Sequence, residues 1–271
     1  MSKPRYIDAA FRSTKENEAY LFMKNEYVLM NYAPGSKDDR IVNGPLLIRD
    51  GYPSLKYSEF GNRGIDCAFD CEAPSNIIEK IEERYYKRYC GQGFSIVMDP
   101  YPREDVDRAI EKANSEAFIF SGNLCARINY APHSMNDRIL SGPIKINYMF
   151  PFFRGTVIEN GIDAAFSSSK SKEAYLFKGY FYARINYESK HLIQNIQYIR
   201  KGFPSLVGTV FESGIDAAFS SHREDEAYIF KGEYYALIDY APGTTDDYII
   251  GGVKRILDHW PSLRGILPRY D

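Results

Sequence analysis

Apolar and polar residues alternate along this chain in short runs that return four times. The first run is YIDAAF from Tyr6, and it recurs as GIDCAF from Gly64 and as GIDAAF from Gly161 and from Gly214. A second run follows each copy: NEAYLF from Asn17, SEAFIF from Ser115, KEAYLF from Lys172 and DEAYIF from Asp225. A third is EYVLMNYAP from Glu26, LCARINYAP from Leu124, FYARINY from Phe181 and YYALIDYAP from Tyr234. Alternation with a period of two over runs of this length predicts half-buried strands. Each unit then closes on an aromatic–proline pair, at Tyr52-Pro53, Phe150-Pro151, Phe203-Pro204 and Trp260-Pro261. There an outer strand is expected to run into a helical turn that the proline ends.

A unit of three or four antiparallel strands cannot bury both faces by itself. Four of them arranged radially give every sheet two flanks to pack on and leave only short edges exposed. The expected fold is therefore all-β, a four-bladed β-propeller. Asp66 follows Asp8 by 58 residues and Asp216 follows Asp163 by 53, but Asp163 follows Asp66 by 97. Blade two thus carries an insert of roughly 40 residues beyond an ordinary blade repeat. The expected blades span about 5–60, 61–157, 158–210 and 211–271, with the insert at about 71–112.

The insert has its own period. Ile77, Ile78, Ile81, Tyr85 and Tyr89 recur at helical spacing behind Ser75 as a cap, predicting a helix over about 76–89. GFSIVMDP reads as a short strand and PREDVDRAIEKAN as a second helix opened by Pro102. The insert is thus a small α/β element, a lid on one face of the propeller. A rival frame opens blade two at Val106, but it would turn Arg108, Glu111 and Lys112 into the propeller core, so GIDCAF is taken as the opening strand.

Composition changes this picture little. The 23 Tyr and 17 Phe against one Trp favour strands. The net charge of −2 gives no field to draw the chain onto nucleic acid or an anionic membrane. No signal-like apolar run opens the sequence, which makes the cytosol the expected compartment. Cys67, Cys71, Cys90 and Cys125 lie in one part of the chain at spacings unlike a zinc ribbon, and are expected as reduced thiols. No GxSxG, Walker loop or HExxH is present, so no catalytic site is expected.

The four IDAAF, EAYLF, ARINYAP and FPSL phrases closely resemble the hemopexin-repeat albumins of legume seeds, over nearly the whole chain apart from the insert. The resemblance implies a cytosolic seed protein, partly dimeric, that holds ions in the propeller tunnel and binds a polyamine such as spermine, haem or thiamine. It also implies a nutrient reserve with a proposed part in oxidative stress and polyamine metabolism. A protein-interaction scaffold using the propeller face and the insert is the alternative. A carbohydrate-binding propeller would require aromatic pockets repeated from blade to blade.

In this fold the first strand of each blade lines the axis, so equivalent positions form rings. Asp8, Asp66, Asp163 and Asp216 make one ring, whose backbone carbonyls are the expected ligands of a hard cation, Ca²⁺ or Na⁺. Ala10, Ala68, Ala165 and Ala218 make a second, small enough for backbone groups to meet an ion, with chloride below. The competing reading has the aspartates capping backbone donors at a strand end and the alanines merely fitting a crowded axis. The recurring Glu18, Glu116, Glu173 and Glu226 are expected to pair with neighbours such as Arg127 or Arg184. Haem would need a histidine, and His222 and His133 are the loop residues best able to reach one.

Overall fold

The computed structural model describes residues 4–72, 78–84 and 103–270. Four antiparallel sheets of four strands follow one another in chain order. The first holds β1 (Ala9–Arg12), β2 (Glu18–Met23), β3 (Glu26–Asn31) and β4 (Arg40–Leu47). The second holds β5 (Cys67–Cys71), β6 (Glu116–Ser121), β7 (Leu124–Asn129) and β8 (Arg138–Lys145). The third holds β9 (Ala164–Ser167), β10 (Glu173–Lys178), β11 (Phe181–Asn186) and β12 (His191–Tyr198). The fourth holds β13 (Ala217–Ser220), β14 (Glu226–Lys231), β15 (Tyr234–Asp239) and β16 (Tyr248–Arg255).

The first strands form a ring. β1 packs against β5 and β13, and β9 packs against the same two. Even the opposite pairs, β1 with β9 and β5 with β13, approach within 8 Å between Cα atoms, so all four strands encircle one narrow axis. β5 begins in the GIDCAF phrase, and the charged Val106 frame instead falls within a helix, Arg103–Asn114, as the pattern requires.

Burial explains why the inner three strands of each blade read as nearly continuous apolar runs. Both faces of β2 are covered, and the same holds for its counterparts. Four apolar cores result, one at each junction between adjacent blades, with one face of each sheet contributing to each neighbour. In the first, Phe11 stacks on Tyr20 with ring centroids 4.8 Å apart, and Tyr130 of the next blade tilts against Phe11 at 4.9 Å. The outer strands β4, β8, β12 and β16 are exposed along much of their length.

A polar latch joins three of the four junctions. Asp137 accepts the N–H of Ser54 at 3.1 Å, and Asp247 that of Ser205 at 3.2 Å. Asp39 accepts that of Ser262 at 3.0 Å. In each case the serine hydroxyl donates to the same carboxylate oxygen. The serine comes from the PSL turn and the aspartate from the long loop before the next blade's outer strand. The junction of blades two and three differs at both ends. Phe152 replaces the serine, and the short turn after Tyr187 brings no aspartate; Phe152 instead packs against the apolar core of that junction, as Leu192 and Ile196 do. The C-terminal tail completes the ring where Arg5 and Arg269 exchange backbone hydrogen bonds of 2.9 and 2.8 Å.

Within the insert, residues 78–84 are helical, inside the predicted first helix, and the helix Arg103–Asn114 is the predicted second. The strand expected in GFSIVMDP lies outside the described residues. The helix Arg103–Asn114 stands against the propeller through Lys15–Glu111 at 2.6 Å and through Asn129, whose amide donates to the Lys112 carbonyl at 2.9 Å.

Candidate functional site

The axis has two ends, set by the direction of the four inner strands. At their starts lies the aspartate ring. Each of its members donates its backbone N–H to a phenylalanine carbonyl of the second strand, as Asp8 does to Phe22 at 2.9 Å and Asp216 to Phe230 at 2.8 Å. Each carboxylate turns to the following hairpin and accepts a backbone N–H, from Lys24 (2.6 Å), Gly122 (2.7 Å), Gly179 (2.8 Å) and Gly232 (2.8 Å) respectively. Asp8 also pairs with Arg5 at 2.8 Å and Asp163 with Lys178 at 2.5 Å. The aspartate side chains therefore act as hairpin caps. A cation here would be left with carbonyl oxygens.

One step further along, the alanine ring offers such groups. Ser13, Ser168 and Ser221 donate their N–H groups to Glu18, Glu173 and Glu226 carbonyls, which fixes which peptides face the second strand. Because facing and averted peptide groups alternate along an antiparallel strand, Ala10, Ala165 and Ala218 turn theirs toward the axis, and the matching register gives Ala68 the same orientation. Among the described residues no group of three or more His, Cys, Asp or Glu side chains could hold a metal. The peptide oxygens of the alanine ring are donors of the kind that suits a hard cation.

Two residues beyond the alanines the fourfold repeat breaks. The equivalent positions are Arg12, Asp70, Ser167 and Ser220. The Arg12 guanidinium donates to Asp70 Oδ2 at 2.9 Å and to the Ser221 carbonyl at 2.9 Å. Ser167 donates to the same Asp70 oxygen at 2.8 Å, and the Ser167 and Ser220 hydroxyls lie 2.7 Å apart. These bonds link each strand end to its neighbour in a ring around the axis, which closes that mouth of the tunnel. The second carboxylate oxygen of Asp70 is buried without a hydrogen-bond partner among the described residues. Sequence comparison of the copies holds the signal: this is the position after the shared phenylalanine where adjacent copies carry opposite charges.

Above the closed mouth, a cavity of about 440 Å³ lies between the inner strand ends and the insert helix. Asp70, Glu72, Asp107 and Glu111 line it, together with Tyr130 and His222. Glu111 and Glu72 hold the ammonium groups of Lys15 and Lys172 at 2.6 and 3.0 Å. The two histidines differ in availability. His222 Nδ1 lies 2.7 Å from the Tyr32 hydroxyl and its Nε2 lies 3.0 Å from the Ser13 carbonyl, so both nitrogens are engaged and the ring is a structural part of the blade four to blade one junction. His133 pairs with Glu18 at 2.8 Å and stays partly exposed, beside a cavity of about 280 Å³. That cavity falls below the ~300–1,000 Å³ of sites that enclose drug-sized ligands. It is too small to enclose haem.

The hemopexin family model matches residues 162–211 and 215–265. Albumin-2 of Pisum sativum is 48% identical over 269 residues, covering 99% of both chains. This chain belongs to the hemopexin-repeat seed albumins of legumes. Among solved structures, a plant albumin from Cicer arietinum described as showing hemagglutination is 52% identical with a TM-score of 0.81, covering 97% of this chain and 99% of its own. A Cicer arietinum plant lectin described as having two metal binding sites is 53% identical, with the same TM-score and coverage. The relatives of this seed albumin are named as albumins and a lectin, and its place is with these non-enzymatic proteins.

Three of the four repeated glutamates of the albumin pair as expected, whereas Glu226, with Leu237 in the arginine's place, keeps a buried oxygen without a hydrogen-bond partner among the described residues. Glu116 pairs with Arg127 at 2.6 Å and Glu173 with Arg184 at 2.6 Å. In blade one, where Leu29 replaces the arginine, His133 of the next blade takes its place on Glu18. Cys67, Cys71 and Cys125 are free and buried in the apolar cores. Burial pushes all three thiols up, which keeps them protonated. Cys90 lies outside the described residues.

Proposed function

We propose that this seed albumin is a binder of small cations, with a hard ion on the propeller axis and a polyamine such as spermine in the cleft between the closed tunnel mouth and the insert helix. The observation that carries this reading is the cleft's lining. A flexible polycation needs carboxylates spaced along a groove with aromatic surface against its methylenes, and Asp70, Glu72, Asp107 and Glu111 line the cleft with an edge of Tyr130, Arg12 on Asp70 being the cation among them. Lysine ammonium groups already dock on two of these carboxylates. Thiamine, with a single positive charge, would be the weaker occupant. Haem is the least supported, because His222 is committed and His133 opens onto a small cavity. On this reading the protein is cytosolic, forms homodimers, serves as a nutrient reserve and links polyamine handling to oxidative stress.

Isothermal titration with spermine, thiamine and haemin tests the proposal. Spermine should bind tightest, with an affinity that falls as salt is added, and Asp107→Asn with Glu111→Gln should weaken it by about 2- to 30-fold, in keeping with ~0.2–1 kcal/mol for each exposed pair. Heat with none of the three would favour the scaffold reading. An anomalous-scattering map along the axis tests the ion: density at the aspartate or alanine ring supports it, and none in crystals grown with Ca²⁺ removes it.

A second reading for this chain is lectin-like agglutination, which one chickpea relative is described as showing. It is favoured by a pair of aromatic cups at two blade junctions.

A further inference from the structure

The cups sit at the junction of blades one and two and at that of blades three and four, half a turn apart around the axis. The first has a volume of about 280 Å³ and the second about 290 Å³. Their floors correspond position by position. Tyr20, Tyr27, Tyr52 and Tyr130 build one, and Tyr175, Tyr182, Phe203 and Tyr240 build the other. Within each floor two rings meet edge to face, Tyr27 with Tyr52 at 5.0 Å and Tyr182 with Phe203 at 5.1 Å. Gly51 and Gly202 allow this, because a Cβ at either would collide with the phenol of Tyr27 or Tyr182.

The walls and rims correspond as well. Asn43 and Gln194 occupy the same register of the outer strands, opposite Leu29 and Arg184. Asp50 and Lys201 share a position on the helical turn. The rim of each is the loop of the following blade. The backbone of Gly243 donates to the Tyr175 phenol at 3.3 Å, and that of His133 bonds to the Tyr20 phenol. Ser134 and Thr244 line equivalent rims. Buried in the first cup, the Tyr52 hydroxyl has no hydrogen-bond partner among the described residues, although the residue is only 2% exposed.

Deepening the lectin-like reading, on which this rests, we infer that these two cups are saccharide sites that make a single chain bivalent. Charged side chains lining the cups are few, Asp50 in one and Lys201 with Asp246 in the other, which points to a neutral ligand. Amide, hydroxyl and carboxyl groups supply both donors and acceptors at short range, which is what adjacent sugar hydroxyls demand. Phenol edges form the floor against which a pyranose ring can rest. The volumes suit one sugar ring. Such sites bind weakly alone, so a measurable effect on cells requires two that act together. Because the cups face away from each other across the axis, they cannot grip one branch point and instead bridge two surfaces.

Two variants separate the sites: Asn43→Ala with Asp50→Ala in the first cup, and Gln194→Ala with Gln197→Ala in the second. The monomer isolated by gel filtration is tested for red-cell agglutination and on a glycan array, with unchanged melting temperature as the control for folding. The wild-type monomer should agglutinate. Either single-cup variant should keep glycan binding at about half the stoichiometry yet lose agglutination, since a monovalent monomer cannot bridge two cells. Altering both cups should abolish both activities. Agglutination that survives in the fourfold variant would overturn the cups while leaving the lectin-like reading intact. A monomer that neither agglutinates nor binds any glycan would overturn the two together. Spermine titration should be the same in every variant, since none of the four substituted residues lines its cleft.

Discussion

Asp39 in the first blade accepts the backbone N–H of Ser262 in the last, at 3.0 Å and across 223 residues of chain. The same oxygen takes the Ser262 hydroxyl. Two other junctions use the same pair of residue types, so the ring is closed by the device that joins its middle. Asp39→Ala strands the Ser262 donors in a buried site and should lower stability by about 1–3 kcal/mol. Urea unfolding checks this, and Asp137→Ala should cost a similar amount. A near-zero change at Asp39 would mean that the terminal strand pairing closes the ring without the latch.

The latch carries a pH signature. Burial raises Asp137 and Asp247 above the ordinary carboxyl value of 3.8. A raised folded pKa means that the unfolded chain ionises first, so the contribution of these groups is fully present below 3.8 and is lost as pH rises through their folded values. Replacing both with Asn should therefore leave a variant whose stability, relative to wild type, improves between pH 3 and 6. Urea midpoints across that range give the answer; a difference that does not move with pH would contradict it.

Asp70 and Arg12 should be worth little as a pair and much as partners. Removing Asp70 alone, as Asp70→Ser, leaves a guanidinium facing the axis, and a loss of about 2–3 kcal/mol is expected. That is less than for a wholly buried pair, because a third of the Arg12 side chain keeps its solvent. Arg12→Ser combined with Asp70→Ser makes the ring four serines, as blades three and four already supply, and should recover most of the stability. Melting temperatures of the single and double variants decide it.

His222 is expected to titrate below the ordinary imidazole value of 6.5, chiefly because burial disfavours its charged form, with Arg12 adding to the effect. A depressed folded pKa contributes stability that is present above 6.5 and lost as pH falls through the folded value. NMR titration should place the His222 ring below the ordinary imidazole value, and His222→Gln should make stability less sensitive to pH between 7 and 5.

The thiols of Cys67, Cys71 and Cys125 should resist a thiol reagent in the folded protein at pH 8 and react together once it is unfolded. Rapid labelling of any of the three in the native state would show that its junction opens.

Much of this architecture was legible because each blade repeats one solution to the same burial problem. The IDAAF and EAYLF phrases mark strands and their order locally, but the half-buried alternation expected of them gives way to burial on both faces, because each sheet has a neighbouring blade on either side. The departure of Phe152 from the PSL pattern, and the short turn after Tyr187 that accompanies it, can likewise be read from the copies side by side. What the copies do not display is the direction of a side chain once the strand is placed. Asp8 and its equivalents suit an ion ring or a hairpin cap equally well on paper, and only the nearness of the Lys24, Gly122, Gly179 and Gly232 amides selects the cap.

The sequence by itself thus determined the repeat, the number of blades, the place of the insert and the ring to which each inner residue belongs, because these follow from local period and from counting. Tertiary structure alone decided that Arg12, Asp70, Ser167 and Ser220 close one mouth of the tunnel, that the insert helix roofs an acidic cleft there, and that two junctions open into matching cups. The ring at the mouth depends on contacts between residues 53 to 209 positions apart. Their energies come from desolvation and from the distances set by packing of neighbouring blades, which no local pattern encodes.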